Sequence, residues 1–537
     1  MSTVLIRACL TTTLFVFGTA ASISAQPPQQ QPPGSPLQAP ASAAVAPSPL
    51  TMRLTADDAV RLAAENNLGI QIDRYNPQIQ QAAVVEAQRA WLPSLVSSIQ
   101  GTGNTQPSNS FLSGAVGNST SSHGVTSTAR LAQNVPWGGN YTIGWDGARS
   151  TSNSLFTTFS PQLRSSLSLS YTQELWRGFK TDQARQQVQT NSKQKEIADV
   201  ELRQTLATTT RTVRSAYWDL VYAIALLRVQ QQSLDVANES LRNTRQRIEI
   251  GTTPPIDEVA QQAEVARNEE AVITAEAQIG TAEDTLRTLI FKVDDPDFWS
   301  LHIEPIEAAQ YMPASIDTDA AVRNALEHRT DLEQSRKQLE VTDINLRFLR
   351  DQTRPQLTAD LNYGLSGLGG TQLTRSGIGL IPTDTAPPTI AAERGFGSVL
   401  GDLFTNAFPT WTTTLTLTVP LGHSAQEANV ARTRLQYRQA EMQLKSQQMQ
   451  VATQVRQAAR QVQTNQKRVE TTRTARELSE RTLDAQQRKL AAGTAEQFQV
   501  LQAQRDLATA RNDELRALID YQQSVVDFET VQEVPLR

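Results

Sequence analysis

The side chains that most often do chemistry are scattered through this chain. Its four histidines, His123, His302, His328 and His423, stand far apart and form no pair at metal-ligand spacing. The only cysteine is Cys9, and the sequence has no phosphate-binding Gly-Lys-Ser/Thr loop and no Gly-x-Ser-x-Gly nucleophile elbow. The sequence therefore predicts no enzyme, no metal site and no cofactor.

One acidic pair is notable for its position. Asp257 and Glu258 directly follow a Gly-Thr-Thr-Pro-Pro segment, Gly251 to Pro255, which is typical of the end of one helix and the start of the next. Two interpretations are open. Carboxylates that face a water-filled passage would attract cations, whereas acids in the first turn of a helix complement its dipole.

Composition limits the class of protein. The 537 residues are 39% hydrophobic and only 6% aromatic, which is little for several compact cores and favours an elongated helical protein. The net charge is -5 and there is no basic run of five residues. Nucleic acid is therefore excluded as a partner, since neutralising phosphates requires clustered Lys and Arg.

The N-terminus predicts export. Arg7 precedes an apolar stretch, Ala8 to Ala21, and a small-residue segment that ends at Ala25. Residues 1–25 are therefore predicted to be a cleaved signal peptide, too short to span a bilayer. Because Cys9 lies within it, the mature chain would have neither a disulfide nor a lipidated cysteine. Residues 26–50, rich in Pro, Gln, Ala and Ser, predict a disordered tether.

The chain contains an internal duplication. Leu54 to Leu95 aligns without a gap with Ile316 to Leu357, and Val213 to Ala266 aligns with Val455 to Ala508. The sequence thus predicts two repeats, 51–300 and 301–537, each with a helix, β-strands and a long helical hairpin. Such repeats complete their packing against each other or against further chains.

Long proline-free windows predict the hairpins. Apolar residues recur every seven positions, which is typical of a coiled-coil seam. In the first window they are Leu206, Val213, Leu220, Leu227, Leu234, Leu241 and Ile248, and in the second Val455, Val462, Val469, Leu483 and Leu490, with Arg476 as the one interruption. We predict hairpins over about 180–290 and 423–531, with tips at 250–256 and 492–498. Gly251 and Gly493 should end the long helices as left-handed caps.

Two features of these helices have alternative interpretations. Tyr217 and Trp218 could form a ligand platform, but their helical spacing beside Leu220 favours a place in the core. Arg476 could face water or pair with a carboxylate such as Glu470 or Glu480, and the sequence leaves both open.

Alternating segments predict two groups of strands, at about 95–175 and 357–421. Apolar and hydroxyl side chains alternate from Trp411 to Val419, and similar alternation recurs from Leu163 to Thr172 and from Leu357 to Leu365. A transmembrane β-barrel with a wet lumen requires this pattern, although a soluble antiparallel sheet with one solvated face shares it. Weaker strands are predicted at Leu95 to Gly103, Val125 to Val135 and Asn140 to Gly147.

The order of these elements favours the membrane interpretation. Each strand group is flanked by long helices and contains a loop rich in Gly, Ser and Thr, Gln106 to His123 and Ser366 to Pro409. A few strands cannot close a barrel alone, and an open edge in lipid leaves backbone groups unpaired. Several chains would have to combine.

The chain resembles the TolC-type outer membrane efflux protein family from Leu54 to about Val531. The resemblance rests on the order and duplication of the elements and on five short segments, which are Ala59 to Arg61, Leu92 to Leu95, Tyr217 to Leu220, Gly493-Thr494 and Leu501 to Ala503.

The resemblance implies a homotrimer in the outer membrane, with a β-barrel continued by an α-helical tube through the periplasm. It also implies a passive export channel that a periplasmic adaptor opens at the hairpin tips for an inner-membrane pump. The implied docking residues are Gly251, Thr252, Pro254, Pro255, Gly493 and Thr494. The family's acidic constriction matches Gln499 and Gln502 here, so Asp257 and Glu258 are the remaining acidic candidates.

The number of barrel strands and the functional class each have two alternatives. Three chains would supply twelve strands, or eighteen if the hairpin around Pro136 joins the barrel, and we expect twelve with the hairpin appended. The competing functional class is a secreted coiled-coil scaffold or adhesin of the envelope. Recurring amphipathic strands favour the channel, because a scaffold does not need them.

Overall fold

The computed structural model of the chain describes residues 51–109, 114–115, 117–292, 299, 301–308, 310–313, 315–375, 388–419, 421–422 and 424–533. The predicted signal peptide and tether lie outside these residues, as do Pro420 and His423. Within them the chain repeats a succession of short strand, helices, long strands and helical hairpin.

In chain order the elements are β1 (Thr51–Leu54), α1 (Ala56–Asn66), α2 (Leu68–Asp73), α3 (Tyr75–Gln88), β2 (Ser94–Pro107), β3 (Ser119–Val135), β4 (Gly139–Ser152), β5 (Phe159–Glu174), α4 (Gln183–Glu249), α5 (Ile256–Ile290), β6 (His302–Pro305), α6 (Thr318–His328), α7 (Thr330–Gln352), β7 (Gln356–Thr374), β8 (Thr389–Arg394), α8 (Phe396–Phe404), β9 (Pro409–Thr418), α9 (Ala425–Ala491) and α10 (Gln497–Gln532).

The two long helices α4 and α9 are the same length in both repeats. Each has 67 residues, which at about 1.5 Å per residue is roughly 100 Å. Side-chain caps start both, since Asp182 accepts from the N–H of Arg185 and Ser424 from the N–H of Glu427. No helix among the described residues is both long enough and apolar enough to cross a membrane.

The predicted seams face other helices. Val213 and Leu220 of α4 and Val455 and Val462 of α9 are fully buried, because α4 packs on α5 and α10, and α9 packs on α10. The seam residues nearer the tips, such as Leu241, are only half-buried in the single chain. They retain apolar surface for further packing.

Tyr217 lies at the centre of the largest buried cluster, where α1, α4 and α5 meet the parallel ladder of β1 and β6. Its ring is fully buried and Trp218 meets it edge-on with centroids 5.6 Å apart. The Tyr217 hydroxyl donates to the carbonyl of Leu54 at 3.3 Å and accepts from the N–H of Glu307 at 3.2 Å. Burial raises the pKa of Tyr217 to about 12. Both aromatic residues therefore belong to the core.

The long strands form one antiparallel sheet in the order β2, β3, β4, β5, β7. On the far side of β7 lie both β9, paired from Gln356 to Leu365, and β8, paired from Gly370 to Thr374. The strands occupy the predicted segments but are longer. Among the described residues, β2 and β9 each have a strand on one side only.

The expectation of an appended hairpin is wrong. β3 and β4, joined by the predicted turn after Val135, lie in the middle of the sheet, and β3 pairs with β2 from Ser119 to Ala132. β4 pairs with β5 over its length. Their apolar and polar side chains keep the same alternation as those of the neighbouring strands, so β3 and β4 are regular members of this sheet. The sheet therefore has six strands side by side at the level of β9.

The predicted outer loop from Ser366 to Pro409 is also more ordered than expected. Residues 376–387 lie outside the described part, but β7 continues to Thr374, and β8 and α8 follow. The prediction was wrong because glycines and threonines in this stretch suggested a loop, whereas strand pairing with β5 extends to Gln372. The apolar pattern of α8 was not recognised.

Removing the Tyr217 hydroxyl should destabilise the core without changing its packing volume. For Tyr217→Phe we expect a loss of about 1–3 kcal/mol, because two buried backbone groups lose their partner. Thermal unfolding of the detergent-extracted protein, followed by circular dichroism at the helix band, measures the effect. Tyr75→Phe is the matched control, since Tyr75 is exposed. Equal melting temperatures for both variants would contradict this role for Tyr217.

Candidate functional site at the hairpin tips and the sheet

Both long helices end in a left-handed glycine. At the first tip Gly251 has φ +83°. The N–H of Thr252 donates to the carbonyl of Arg247 at 2.9 Å, and the N–H of Gly251 donates to the carbonyl of Ile248 at 2.9 Å. This pair of bonds is the Schellman motif. It satisfies the last carbonyls of the helix and turns the chain sharply.

The second tip repeats this geometry. Gly493 has φ +73°, the N–H of Thr494 donates to the carbonyl of Lys489 at 2.9 Å, and the N–H of Gly493 donates to that of Leu490 at 3.1 Å. The hydroxyl of Thr494 also donates to Lys489, as that of Thr252 donates to Arg247 in the first tip. The Gly-Thr pair therefore has the same structural task in both repeats.

The tips present apolar side chains to solvent. Ile250 and Ile256 flank the first turn and are 76% and 70% exposed, while Phe498 lies at the corresponding place in the second and is 65% exposed. Pro254 and Pro255 are exposed between the two isoleucines. Clustered exposed apolar residues on a soluble surface mark a site of protein contact.

The acidic pair of the first tip is unequal. Glu258 accepts from Arg245 Nε at 3.0 Å across the hairpin and from Gln262 Nε2 at 3.0 Å. Asp257 lies half-exposed in the first turn of α5, next to the tip. Arg245 thus offsets the charge of Glu258.

The two candidate glutamines of the second tip lie on an exposed stripe of α10. Gln499 and Gln502 are both exposed, and Gln502 Nε2 donates to Asp506 Oδ1 at 2.8 Å. Sequence reasoning missed Asp506, which lies one helical turn beyond Gln502. Its signal was the four-residue spacing that places both side chains on one face.

One ion pair joins the two hairpins just behind the tips. Arg505 of α10 donates to Glu264 Oε2 of α5 through Nε at 3.0 Å and Nη2 at 2.6 Å. Glu264 is almost fully buried, and Arg267 adds a third cationic contact at 3.4 Å. This pair was not predicted from the sequence. The sequence offered one indication of it, because Glu264 and Arg505 carry opposite charges and follow Gly251 and Gly493 at nearly equal distances along the chain.

Arg476, which interrupts the seam of α9, pairs with carboxylates. Its Nη1 lies 2.9 Å from Glu480 and its Nε 2.5 Å from Glu514 of α10, while Arg511 reaches Glu480 at 3.3 Å. Burial acts to raise the pKa of Glu480, but the hydrogen bonds from Arg511 and Arg476 outweigh it and hold that pKa below its usual value. This network binds α9 to α10 in the middle of the hairpin.

The sheet has one apolar and one polar face. Cross-strand register places Leu131, Ile143, Leu169, Tyr363 and Trp411 on the same face, and every second residue of each strand continues that face. The exposed members of this face include Leu95, Ile99, Val125, Ile143, Leu169, Leu361, Tyr363, Trp411, Leu415 and Leu417. An exposed apolar face of this extent requires an apolar environment.

The opposite face carries hydroxyl, amide and charged side chains. Its members include Thr128, Arg130, Thr142, Asp146, Arg164, Ser168, Ser170, Asp360, Asn362, Thr412, Thr414 and Thr416. Thr172 donates to Asp360 Oδ1 across the β5 and β7 pair at 2.7 Å. Such a face suits water.

The described residues hold no group of three or more His, Cys, Asp or Glu side chains that could bind a metal ion. His123, His302 and His328 lie in β3, in β6 and at the end of α6. The candidate functional surfaces are therefore the hairpin tips and the two faces of the sheet.

Sequence comparison identifies a family. The outer membrane efflux protein family matches residues 139–290 and 321–531, which together exceed half of the chain. No curated protein matches the sequence significantly.

Several solved structures share the fold. CusC, a transmembrane channel, superposes with a TM-score of 0.61 at 12% identity, over 89% of this chain and 92% of that chain. The outer membrane channel CmeC of Campylobacter jejuni gives 0.61 at 14%, over 89% and 85%. The open state of the MtrE outer membrane channel of Neisseria gonorrhoeae gives 0.57 at 16%, over 89% and 88%. At these identities the likeness concerns the fold.

Acid should weaken the contact between α9 and α10. Because the pKa of Glu480 is lowered in the folded protein, its stabilisation is complete above the ordinary pKa and is lost as the pH falls through the lowered one. We expect the melting temperature to fall as the pH drops from above the ordinary pKa of a glutamate through the lowered pKa of Glu480, and to fall less in Glu480→Gln. Glu441→Gln, which alters an exposed ion pair on α9, is the control. An identical pH dependence in all three proteins would contradict the assignment.

Proposed function

This chain belongs to the outer membrane efflux protein family, and on that premise we propose that it is a passive, water-filled channel formed by three copies. The protein resides in the outer membrane, and its family is one of efflux proteins and not of enzymes. The observation that carries the proposal is the six-stranded sheet with an apolar face, a polar face and two edges that have no strand partner among the described residues.

The edges support closure by several chains. Unpaired backbone groups in hydrocarbon cost several kcal/mol each, so β2 and β9 need partners. These two edge strands run in opposite directions, since the strands of the sheet alternate from β2 to β9. The β9 edge of one chain therefore fits antiparallel against the β2 edge of the next. Three copies of six strands give a barrel of eighteen.

The helices would continue this barrel as a tube. Each chain supplies α4, α5, α9 and α10, whose distal seam residues are only half-buried in one chain. Packing against neighbouring chains would bury them, as coiled-coil seams require. The tube then extends the polar passage into the periplasm, with the hairpin tips at its far end.

The tips would form both the constriction and the docking surface. Gly251, Thr252, Gly493 and Thr494 fix the turns, and the exposed Pro254 and Pro255 lie between apolar side chains that an adaptor could cover. For the constriction we assign cation preference to Asp257 and Asp506, with Gln499, Gln502 and the charge-compensated Glu258 as its neutral lining.

Opening would separate the two hairpins. The bond between Glu264 and Arg505 holds α5 against α10 directly behind the tips, so it would break when the hairpins move apart. An adaptor that binds the separated form better shifts the population toward it. Cargo delivered by an inner-membrane pump then diffuses through the tube.

Weakening this bond should open the channel without an adaptor. Glu264→Gln removes the charge-assisted bond and with it about 1–2 kcal/mol of stabilisation of the closed form. The open population should therefore rise roughly 5- to 30-fold. Conductance of the purified trimer in planar bilayers measures this. Glu269→Gln is the matched control, since Glu269 lies exposed on the same helix.

Equal conductance of Glu264→Gln, Glu269→Gln and the unaltered protein would remove Glu264 from the opening mechanism. Absence of conductance in all three would contradict the channel itself and leave the envelope scaffold.

Substituting the tip glycines should loosen the turns. In Gly251→Val or Gly493→Val a β-branched residue is forced into the left-handed region, at roughly 1–2 kcal/mol. We expect several-fold faster trypsin cleavage beside the tip, at Arg247 or Lys489, and reduced efflux by cells that depend on the variant. Gly280→Val is the control, because Gly280 lies in α5 with open space around it. Unchanged cleavage and unchanged efflux in both tip variants would contradict the docking role.

A further inference from the structure

Helix α8 interrupts one wall strand and lies on the apolar face of the sheet. β8 ends at Arg394, opposite Gly370 of β7, and β9 begins at Pro409, opposite Leu365. Between these two pairs β7 has no strand partner on that side in the described part of the chain. The chain leaves the sheet there and forms α8.

The sheet has glycine residues, which carry no side chain, where α8 packs. A Cβ on Gly367 would lie 2.3 Å from the carbonyl oxygen of Val399, and a Cβ on Gly369 would lie 2.5 Å from Val399 Cγ2. The ring of Phe396 lies 3.4 Å from the Cβ position of Gly147 in β4. These glycines belong to the apolar face by register, so they form a shallow groove that admits the helix.

Polar contacts hold α8 in this groove. Arg394 donates to both carboxylate oxygens of Asp402 at 2.9 and 3.0 Å, and its Nη1 donates to the carbonyl of Leu368 at 3.0 Å. That carbonyl belongs to the part of β7 that lacks a strand on this side. From Arg394 to Phe408 these are the only charged side chains; they neutralise each other, and Arg394 also satisfies a carbonyl of β7.

The outer surface of α8 is apolar and uncharged. Val399 and Leu403 are buried against the sheet, whereas Phe404 is 86% exposed and Phe408, just beyond the helix, is also exposed. Phe396 is partly exposed and Leu400 is half-buried, and the other exposed positions of the helix are Gly397 and Ser398. Such a surface replaces the apolar side chains that the sheet lacks at Gly367 and Gly369.

The height of α8 places it at one border of the apolar band. Gly367 and Gly369 lie 11 and 13 residues beyond Gln356, where β7 leaves the helical part. At about 3.3 Å per residue and a tilt of roughly 45° this is roughly 26–30 Å, close to the height of the apolar band of a membrane barrel.

We propose that α8 is an interfacial helix that lies on the outside of the barrel, with Phe404 and Phe408 in contact with the acyl chains of the outer leaflet. The proposal rests on the proposed function, because it uses the barrel to define inside and outside. α8 anchors the rim of the barrel to the membrane in place of wall side chains.

Lipid fits this surface better than a neighbouring chain does. From β7 the helix extends back over the sheet as far as Gly147 of β4, where the ring of Phe396 rests. The edge that would meet the next chain is β9, on the other side of β7. α8 therefore covers central strands of its own sheet and lies away from the edge at which two chains would join.

Spin labels at single cysteines test the proposal. Because the only native cysteine is Cys9, within the predicted signal peptide, the mature protein can be labelled at one chosen position. Phe404→Cys reports on α8, Leu415→Cys on the apolar face and Thr414→Cys on the polar face. Collisions with oxygen and with a water-soluble nickel chelate are measured by electron paramagnetic resonance, on the full-length trimer in phospholipid vesicles.

We expect the labels at 404 and 415 to collide with oxygen and lose collisions with nickel, and the label at 414 to do the reverse. Nickel access at 404 with lipid contact retained at 415 would overturn the proposal for α8 alone. So would a label at 404 shielded from both reagents, since that indicates a protein neighbour. Nickel access at 415 would instead contradict the proposed function.

Displacing α8 gives a second readout. Gly367→Val drives a side chain into Val399, so the label at 404 should lose oxygen collisions and gain nickel collisions. Gly101→Val is the matched control, because Gly101 shares the apolar face and has open space around it. An unchanged label in Gly367→Val would contradict the packing of α8 in the groove.

Discussion

Backbone hydrogen bonding at the two edges of the sheet is the constraint on which the rest of this structure depends. β2 and β9 each leave one row of N–H and C=O groups without a strand partner in the described part of the chain, and in hydrocarbon neither water nor side chains can satisfy such a row. The exposed apolar face formed by residues such as Ile99 and Leu415 requires that environment. In the proposed channel one chain is therefore incomplete, and the opposite directions of β2 and β9 would allow copies to join edge to edge.

The helical hairpins also leave apolar surface uncovered in a single chain. The middle parts of the long helices are held by buried cores such as that around Tyr217, whereas the seams nearer the tips are half-buried and the tips expose Ile250 and Phe498. Stability therefore decreases from the middle of the hairpins to their tips. A few ion pairs, above all that between Glu264 and Arg505, hold the distal region in place. In the proposed channel, motion confined to this region would change the bore without disturbing the barrel.

Sequence reasoning recovered the features that local chemistry specifies. Heptad spacing gave the hairpins, and Gly251 and Gly493 gave their ends, because only a residue without Cβ adopts the left-handed cap easily. The duplication gave the equivalence of the tips. What sequence could not specify depends on long-range register: the place of β3 and β4 in the sheet, and the groove at Gly367 that admits α8. The pairing of Arg476 with Glu480 and Glu514 was undecidable for the same reason, since one partner lies on another helix.

Electron cryomicroscopy of the detergent-extracted protein tests the account most directly, because it shows which strands are neighbours between chains. We predict three copies in a ring of eighteen strands, with β9 of each chain beside β2 of the next and α8 on the outer surface. A ring of twelve strands with β3 and β4 outside it, or a monomer with both edges free, would contradict it.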